Sequence, residues 1–255
     1  MRTARPYGLG LGLSILYLSV IVLVPMAAVA VKAVSQSPAS FWASVTNPVA
    51  LRALAITLGA AVAVSAVGAV MGTLIAWVLV RDRFPGQRFI NALIDLPFAL
   101  PTVVAGLTLL ALYGPGSPFG IHLAYTRAIV LVALLFVTLP FVVRSVQPVL
   151  LELDREAEEA AASLGASNAT IFRRIILPAL RPAIVSGSAL AFARAVGEIG
   201  SLVLIAVNVP TASLVIFADV ESDAPQAAAS LSLVLIVVSL LVLVVIRRLG
   251  GRVAH

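Results

Sequence analysis

Arg194 and Glu198 are the charges set deepest in any apolar run of this 255-residue sequence. Spaced four apart, they can share one face of a helix. A lone charge in lipid costs about 3 kcal/mol or more, so each must pair or face water. Two chemistries are open to them. They can form a structural salt bridge, or they can border a polar path in which the Arg194 guanidinium takes a tetrahedral dianion. Gly197, Gly200 and Ser201 lie beside them, where small residues permit close helix approach or leave backbone N–H groups exposed.

A second constellation runs from Glu159 to Pro178: Glu159-Ala160-Ala161, three residues, Gly165, nine residues, then Ile175-Ile176-Leu177-Pro178. It is the most polar long segment of the chain. Glu152–Leu164 has high helix propensity, and its early acids suit the positive end of a helix dipole. Gly165 supplies a permissive backbone to end that helix, and Ser167 or Asn168 can cap a second one. There Ile171, Phe172, Ile175 and Ile176 form an apolar ridge expected to fill a groove in a soluble partner, and Pro178 is expected to stop the helix. An amphipathic helix lying on lipid headgroups is the plainer alternative, although the acidic half would be repelled by anionic lipid.

Other polar groups have modest readings. Asp95 can cap the helix that follows it, Arg144 can snorkel from the end of its span, and Asp219, Glu221 and Asp223 read as a solvated outer trio. Pro97 and Pro101, one turn apart, are expected to kink a span. Gly68 and Gly72, with Ser65, make a small-residue packing face.

Several chemistries are excluded. The one lysine, Lys32, follows Val31, so no phosphate-binding Gly-Lys-Ser/Thr loop exists. His122 and His255 are the only histidines and no cysteine occurs. A metalloprotease, a thiolate metal site and a serine–histidine protease all lack their groups, and no metal site is expected.

The elements that must position these residues are membrane spans. Hydrophobic residues make up 61% and charged residues 11% of the chain, against roughly 25% charged in a soluble domain. Mean hydropathy is +1.12. Six apolar segments, about residues 7–31, 53–80, 91–112, 128–150, 183–207 and 227–246, each approach the roughly 20 residues a bilayer requires. The first is too long for a signal-peptide core and is expected to be retained. Entering at Ala183, the fifth span would carry Arg194 to mid-bilayer, with residues 151–182 as a loop before it.

Charge then orients the chain. With the N-terminus inside, Arg2, Arg5, Arg81, Arg83, Arg88, Arg155, Arg173, Arg174, Arg181, Arg247, Arg248 and Arg252 are internal, and only Lys32, Arg52 and Arg127 are external. That bias places both termini in the cytoplasm and explains the isoelectric point near 10.7 without nucleic acid.

The Glu159–Pro178 spacing resembles the EAA motif of ABC importer permeases. Asp95-Leu96-Pro97-Phe98-Ala99-Leu100-Pro101-Thr102-Val103-Val104-Ala105-Gly106, Phe192–Gly200 and Val220-Glu221-Ser222-Asp223 resemble the T-type sulfate/thiosulfate permeases. The resemblance implies an all-α polytopic protein with six spans of the type I importer fold, in a bacterial inner membrane. It implies a coupling helix in which Glu159, Ala160, Ala161, Gly165, Ile175, Leu177 and Pro178 meet an ATPase. Arg194, Gly197, Glu198, Gly200, Ser201, Pro97 and Pro101 would border the translocation path. Implied partners are a W-type permease, two ATPase subunits that bind the ATP and Mg this chain does not, and an extracytoplasmic binding protein. Molybdate or tungstate import is the alternative within the class. A polytopic membrane enzyme or a passive channel lies outside it.

Overall fold

The computed structural model describes residues 7–251 and is helical in every long element. Arg2, Arg5, Arg252 and His255 lie outside the described residues. Among the described residues, five helices are long and apolar enough to cross a membrane, and a sharply bent pair makes a sixth candidate.

Helix α1 (residues 7–34) and the short α2 (Pro38–Thr46) lead into α3 (Pro48–Arg81). The start of α3 is fixed by Asn47, whose side chain accepts from the Ala50 N–H, and by Pro48, which has no N–H to leave unpaired. The bent pair follows as α4 (Gln87–Ala99) and α5 (Thr102–Tyr113). Then come α6 (Arg127–Glu152), the short α7 (Arg155–Ser163), the long α8 (Asn168–Val196), α9 (Leu202–Ile205), α10 (Ala212–Glu221) and α11 (Pro225–Gly251).

The core is the mutual packing of α3, α6 and α8. It divides into a cluster around Phe192, Ile129 and Leu134, and a second around Val142, Val146 and Leu180. Small residues make the close crossing possible. A Cβ on Gly72 would sit 2.8 Å from the Val142 Cβ, and one on Gly187 would sit 2.8 Å from the Val142 Cα. Val142 is thus gripped from both sides by glycines, one being Gly72 of the expected small-residue face. By contrast α1 presents its apolar side chains outward and touches the bundle chiefly through α11.

Three expectations about the spans are corrected. The third is not one kinked helix: α4 and α5 meet at 116° across Leu100–Pro101. Leu100 precedes a proline and is held extended, with ψ 134°, which ends α4. The fifth begins fifteen residues before Ala183 and ends at Val196 rather than 207, so much of the expected 151–182 loop is helix. Pro178 does not stop it, because the turn before it is a π-turn: Phe172–Ile176 closes with the Leu177 N–H bonded to the Phe172 carbonyl. The wider turn relieves the clash a proline ring makes with the carbonyl four residues back. Helix α1 uses the same device, a π-turn at Ser19–Leu23 just before Val24-Pro25.

The glycine grip gives a direct test. Gly187→Ala is expected to destabilise the protein by about 1–3 kcal/mol, because backbone, not a flexible side chain, blocks the new methyl. Gly59→Ala, whose Cβ meets nothing within 4 Å, should leave the melting temperature in detergent unchanged or slightly raised.

Candidate functional site

Helix α8 ends in the stretch most charged with functional expectation. Beyond Val196 the chain runs irregularly through Gly197–Ser201 before the single turn of α9. Glu198 organises that break. Its side chain is 1% exposed; Oε1 accepts from the Ser201 N–H at 2.7 Å and the Ser201 Oγ at 2.9 Å. Oε2 lies 2.6 Å from Nη1 of Arg194. The Glu198 carbonyl accepts from the Ser213 hydroxyl of α10 at 2.7 Å. One acid therefore satisfies a free donor at the start of α9, pairs with a cation and anchors the next element.

The broken third span packs onto this loop almost backbone to backbone. A Cβ on Gly200 would lie 2.0 Å from the Thr102 Oγ1, and one on Gly106 2.6 Å from the Ser201 carbonyl. Arg194, Gly197, Glu198, Gly200 and Ser201 thus form one constellation, with Pro101 next to the Thr102 that touches it. Pro97 is not part of it; it lies in α4, beyond the Leu100–Pro101 bend. The Arg194 side chain keeps 31% exposure, and a guanidinium has five donors, so it can serve a second acceptor. Both earlier readings of the pair therefore stay geometrically open: it is a salt bridge, and its cation is reachable.

At the other end of the bundle, α7 and the start of α8 form a projecting knuckle. The expected single helix from Glu152 is divided: α6 ends at Glu152, and Asp154 caps α7 by accepting from the Glu156 N–H at 2.9 Å. Gly165 has φ +82°, and the Ala166 N–H returns to the Ala161 carbonyl at 3.0 Å. Nothing crowds its Cβ position, so backbone handedness alone demands glycine. Ser167 caps α8, accepting from the Thr170 N–H. Glu159 and Ala160 are exposed, Ala161 is half-buried, and Leu164 projects with 89% exposure.

The apolar ridge does not face outward as expected. Ile171 and Ile176 are buried, and with Ile175 they pack against Ala76, Leu79, Val143 and Val146. The reason is area: the knuckle ends of α3 and α6 offer apolar surface that the ridge must cover. Phe172 stays on the edge, ring to ring with Trp77 at 5.8 Å. Glu158 is ion-paired to Arg81, which closes the last turn of α3.

Two further expectations fail here. Asp95 caps nothing; it sits inside α4 and takes a forked ion pair from Arg144, Nε to Oδ1 at 2.7 Å and Nη2 to Oδ2 at 2.6 Å. Arg144 therefore does not snorkel, and Asn91 and Gln147 engage its remaining donors. The signal was available, since opposite charges in successive spans tend to find each other. Thr57, which accepts from the Ala212 N–H at 2.8 Å, and Ser213 carried no sequence signal at all. Of the acids expected on the outer side, Glu221 and Asp223 are exposed, while burial pushes the Asp219 carboxyl above its ordinary range.

Comparison with known proteins agrees with this architecture. The sulfate transport system permease protein CysT of Synechocystis is 47% identical over 256 residues, covering 95% of this chain and 90% of that protein. The CysT protein of Salmonella typhimurium is 43% identical, covering 98% and 95%. A chain in the crystal structure of a bacterial alginate ABC transporter with a pentasaccharide-bound periplasmic protein superposes with a TM-score of 0.80 at 16% identity, covering 98% and 96%. That likeness shows a shared fold. Residues 68–255 match the family described as binding-protein-dependent transport system inner membrane component. With that match over most of its length and relatives this similar along nearly all of it, the chain belongs to that family of multi-pass inner-membrane transport subunits.

Proposed function

We propose that this chain is the membrane-spanning subunit of an ATP-driven importer of sulfate or thiosulfate. It would pair with a related W-type permease, receive substrate from an extracytoplasmic binding protein and work by alternating access. The chain-wide similarity to sulfate permeases is the observation that carries the substrate class. The knuckle is the surface for the ATPase subunits, which supply the ATP and Mg chemistry. Its support is the left-handed Gly165 turn that holds Glu159 and Leu164 out from the bundle. Arginines concentrate in the segments at that end, at Arg81, Arg83, Arg155, Arg173, Arg174, Arg247 and Arg248. That pattern fits a cytoplasmic knuckle with both termini on the same side.

The Arg194–Glu198 pair suits transit rather than storage. A bare buried guanidinium would hold a dianion tightly and release it slowly. Glu198 offsets most of that field, leaving a polar, reachable and weakly attractive point on the path. Permeation demands that combination, binding strong enough for entry and weak enough for exit. Capture from dilute solution then falls to the binding protein, and directionality to the ATPase cycle.

Two measurements test this reading. Gly165→Val should insert normally yet abolish ATP-dependent sulfate uptake in proteoliposomes, because a β-branched residue resists φ +82°. Gly165→Asn, which tolerates that region, should retain most uptake; normal transport by the valine variant would sink the docking assignment. For the path, Arg194→Gln combined with the isosteric Glu198→Gln removes both charges while leaving a polar, shorter side chain at 194. Losing a charge-assisted contact of about 1.5–3 kcal/mol should lower sulfate uptake roughly tenfold or more with assembly intact. Full uptake by that double variant would leave the pair a purely structural role.

A further inference from the structure

Helix α7, the exposed half of the knuckle, is tied to the core by a polar contact. It is nine residues long and fully buries none of them; Ala161 alone packs, half-buried, against the core, so apolar contact there is slight. It rests on the first turn of α8 and on Arg81 of α3. The Arg81 and Glu158 side chains are only 11% and 20% exposed, which shields their attraction from water. The guanidinium also lies over the Trp77 ring, 5.4 Å from its centroid, and Trp77 in turn meets Phe172 in the π-turn of α8. Glu158, Arg81, Trp77 and Phe172 thus join three helices at one place.

The geometry of this contact differs from that of the Asp95–Arg144 ion pair. Arg144 grips Asp95 with Nε and Nη2 on separate oxygens, a fork that fixes direction as well as distance. Arg81 engages Glu158 through Nη2 and Oε1 alone, and its buried Nε has no hydrogen-bond partner. A fork resists rotation. A one-point contact carries a pull while letting the two helices turn about it, as a pivot does.

Helix α3 runs without a break from Arg81 to Thr57, about 36 Å for 24 residues at 1.5 Å each. At that far end Thr57 accepts from the first N–H of α10, whose Ser213 holds the Glu198 carbonyl. One rigid helix therefore touches both the knuckle and the element that braces the Arg194–Glu198 loop.

We propose that Arg81 and Glu158, backed by Trp77, form the pivot through which α7 moves α3 and so reaches the Gly197–Ser201 loop. They are positioning residues, not substrate contacts, and the assignment rests on α7 being the ATPase-docking knuckle.

The test uses the complete importer, with both permeases, its ATPase subunits and its binding protein, reconstituted in liposomes. Labelled sulfate uptake, ATP hydrolysis and bound ATPase subunit are measured together. Arg81→Gln and Glu158→Gln should each keep the ATPase subunit bound and hydrolysing while sulfate moved per ATP falls about tenfold, the scale of one charge-assisted contact. The reversed pair, Arg81→Glu with Glu158→Arg, should regain at least half of the lost coupling. Unchanged uptake per ATP in the single variants overturns the pivot, as does a reversed pair that regains nothing. Uptake that falls only in proportion to bound ATPase subunit also overturns it, since the pair would then merely support the docking surface. Should Arg81→Gln fail to insert, Glu158→Gln decides alone, because α7 lies outside the spans. Normal coupling in Gly165→Val would instead overturn the docking reading itself; a normal Glu158→Gln beside a dead Gly165→Val overturns the pivot only.

Discussion

A helix that stops inside a low-dielectric slab strands backbone N–H and C=O groups where no water can reach them. The architecture depends on how that constraint is met at Glu198. Its carboxylate takes the Ser201 N–H and hydroxyl, its carbonyl takes the Ser213 hydroxyl, and Arg194 neutralises its charge. With those partners in place the chain can leave helical geometry at Gly197 and resume it at Leu202. Without them the break would cost several kcal/mol per orphaned group, and a continuous helix would win. The second break, at Leu100–Pro101, lies close by because Gly106 and Gly200 let α5 pack against the loop. Two interruptions, each a liability alone, support one another.

The rest of the bundle keeps this arrangement rigid from behind. Val142, seated between Gly72 and Gly187, sets how closely α3, α6 and α8 approach. Water does not drive helices together in lipid, so close fit and dispersion carry that contact. Apolar burial returns as the main term at the knuckle end, where Ile171 and Ile176 cover the ends of α3 and α6. The molecule is therefore held by shape in its middle and by hydrophobic area where it meets water.

Much of this was legible in the residues. Composition gave a polytopic helical protein, and the Glu159–Pro178 spacing gave the knuckle, with Gly165 at its turn. Arg194 and Glu198 pair at the spacing read for them. Four things escaped. Pro178 reads as a helix stop by local rules, yet the π-turn before it absorbs it. The ridge of isoleucines has the same periodicity whether it faces a partner or its own bundle; only the ends of α3 and α6 decide. Asp95 and Arg144 each suit a separate local explanation, although their partnership spans 49 residues. Local propensity cannot report a contact of that range. Thr57 and Ser213 are ordinary hydroxyls until the fold brings them to Ala212 and Glu198.

The Asp95–Arg144 fork has a consequence for how the chain enters the membrane. An unpaired charge in lipid opposes partitioning, and the fork removes that cost only when both partners are present. Asp95 and Arg144 lie 49 residues apart in sequence, so α4 has its counter-charge only once α6 stands beside it. In lipid, neither helix is a self-sufficient piece: the charge on each is a demand for the other.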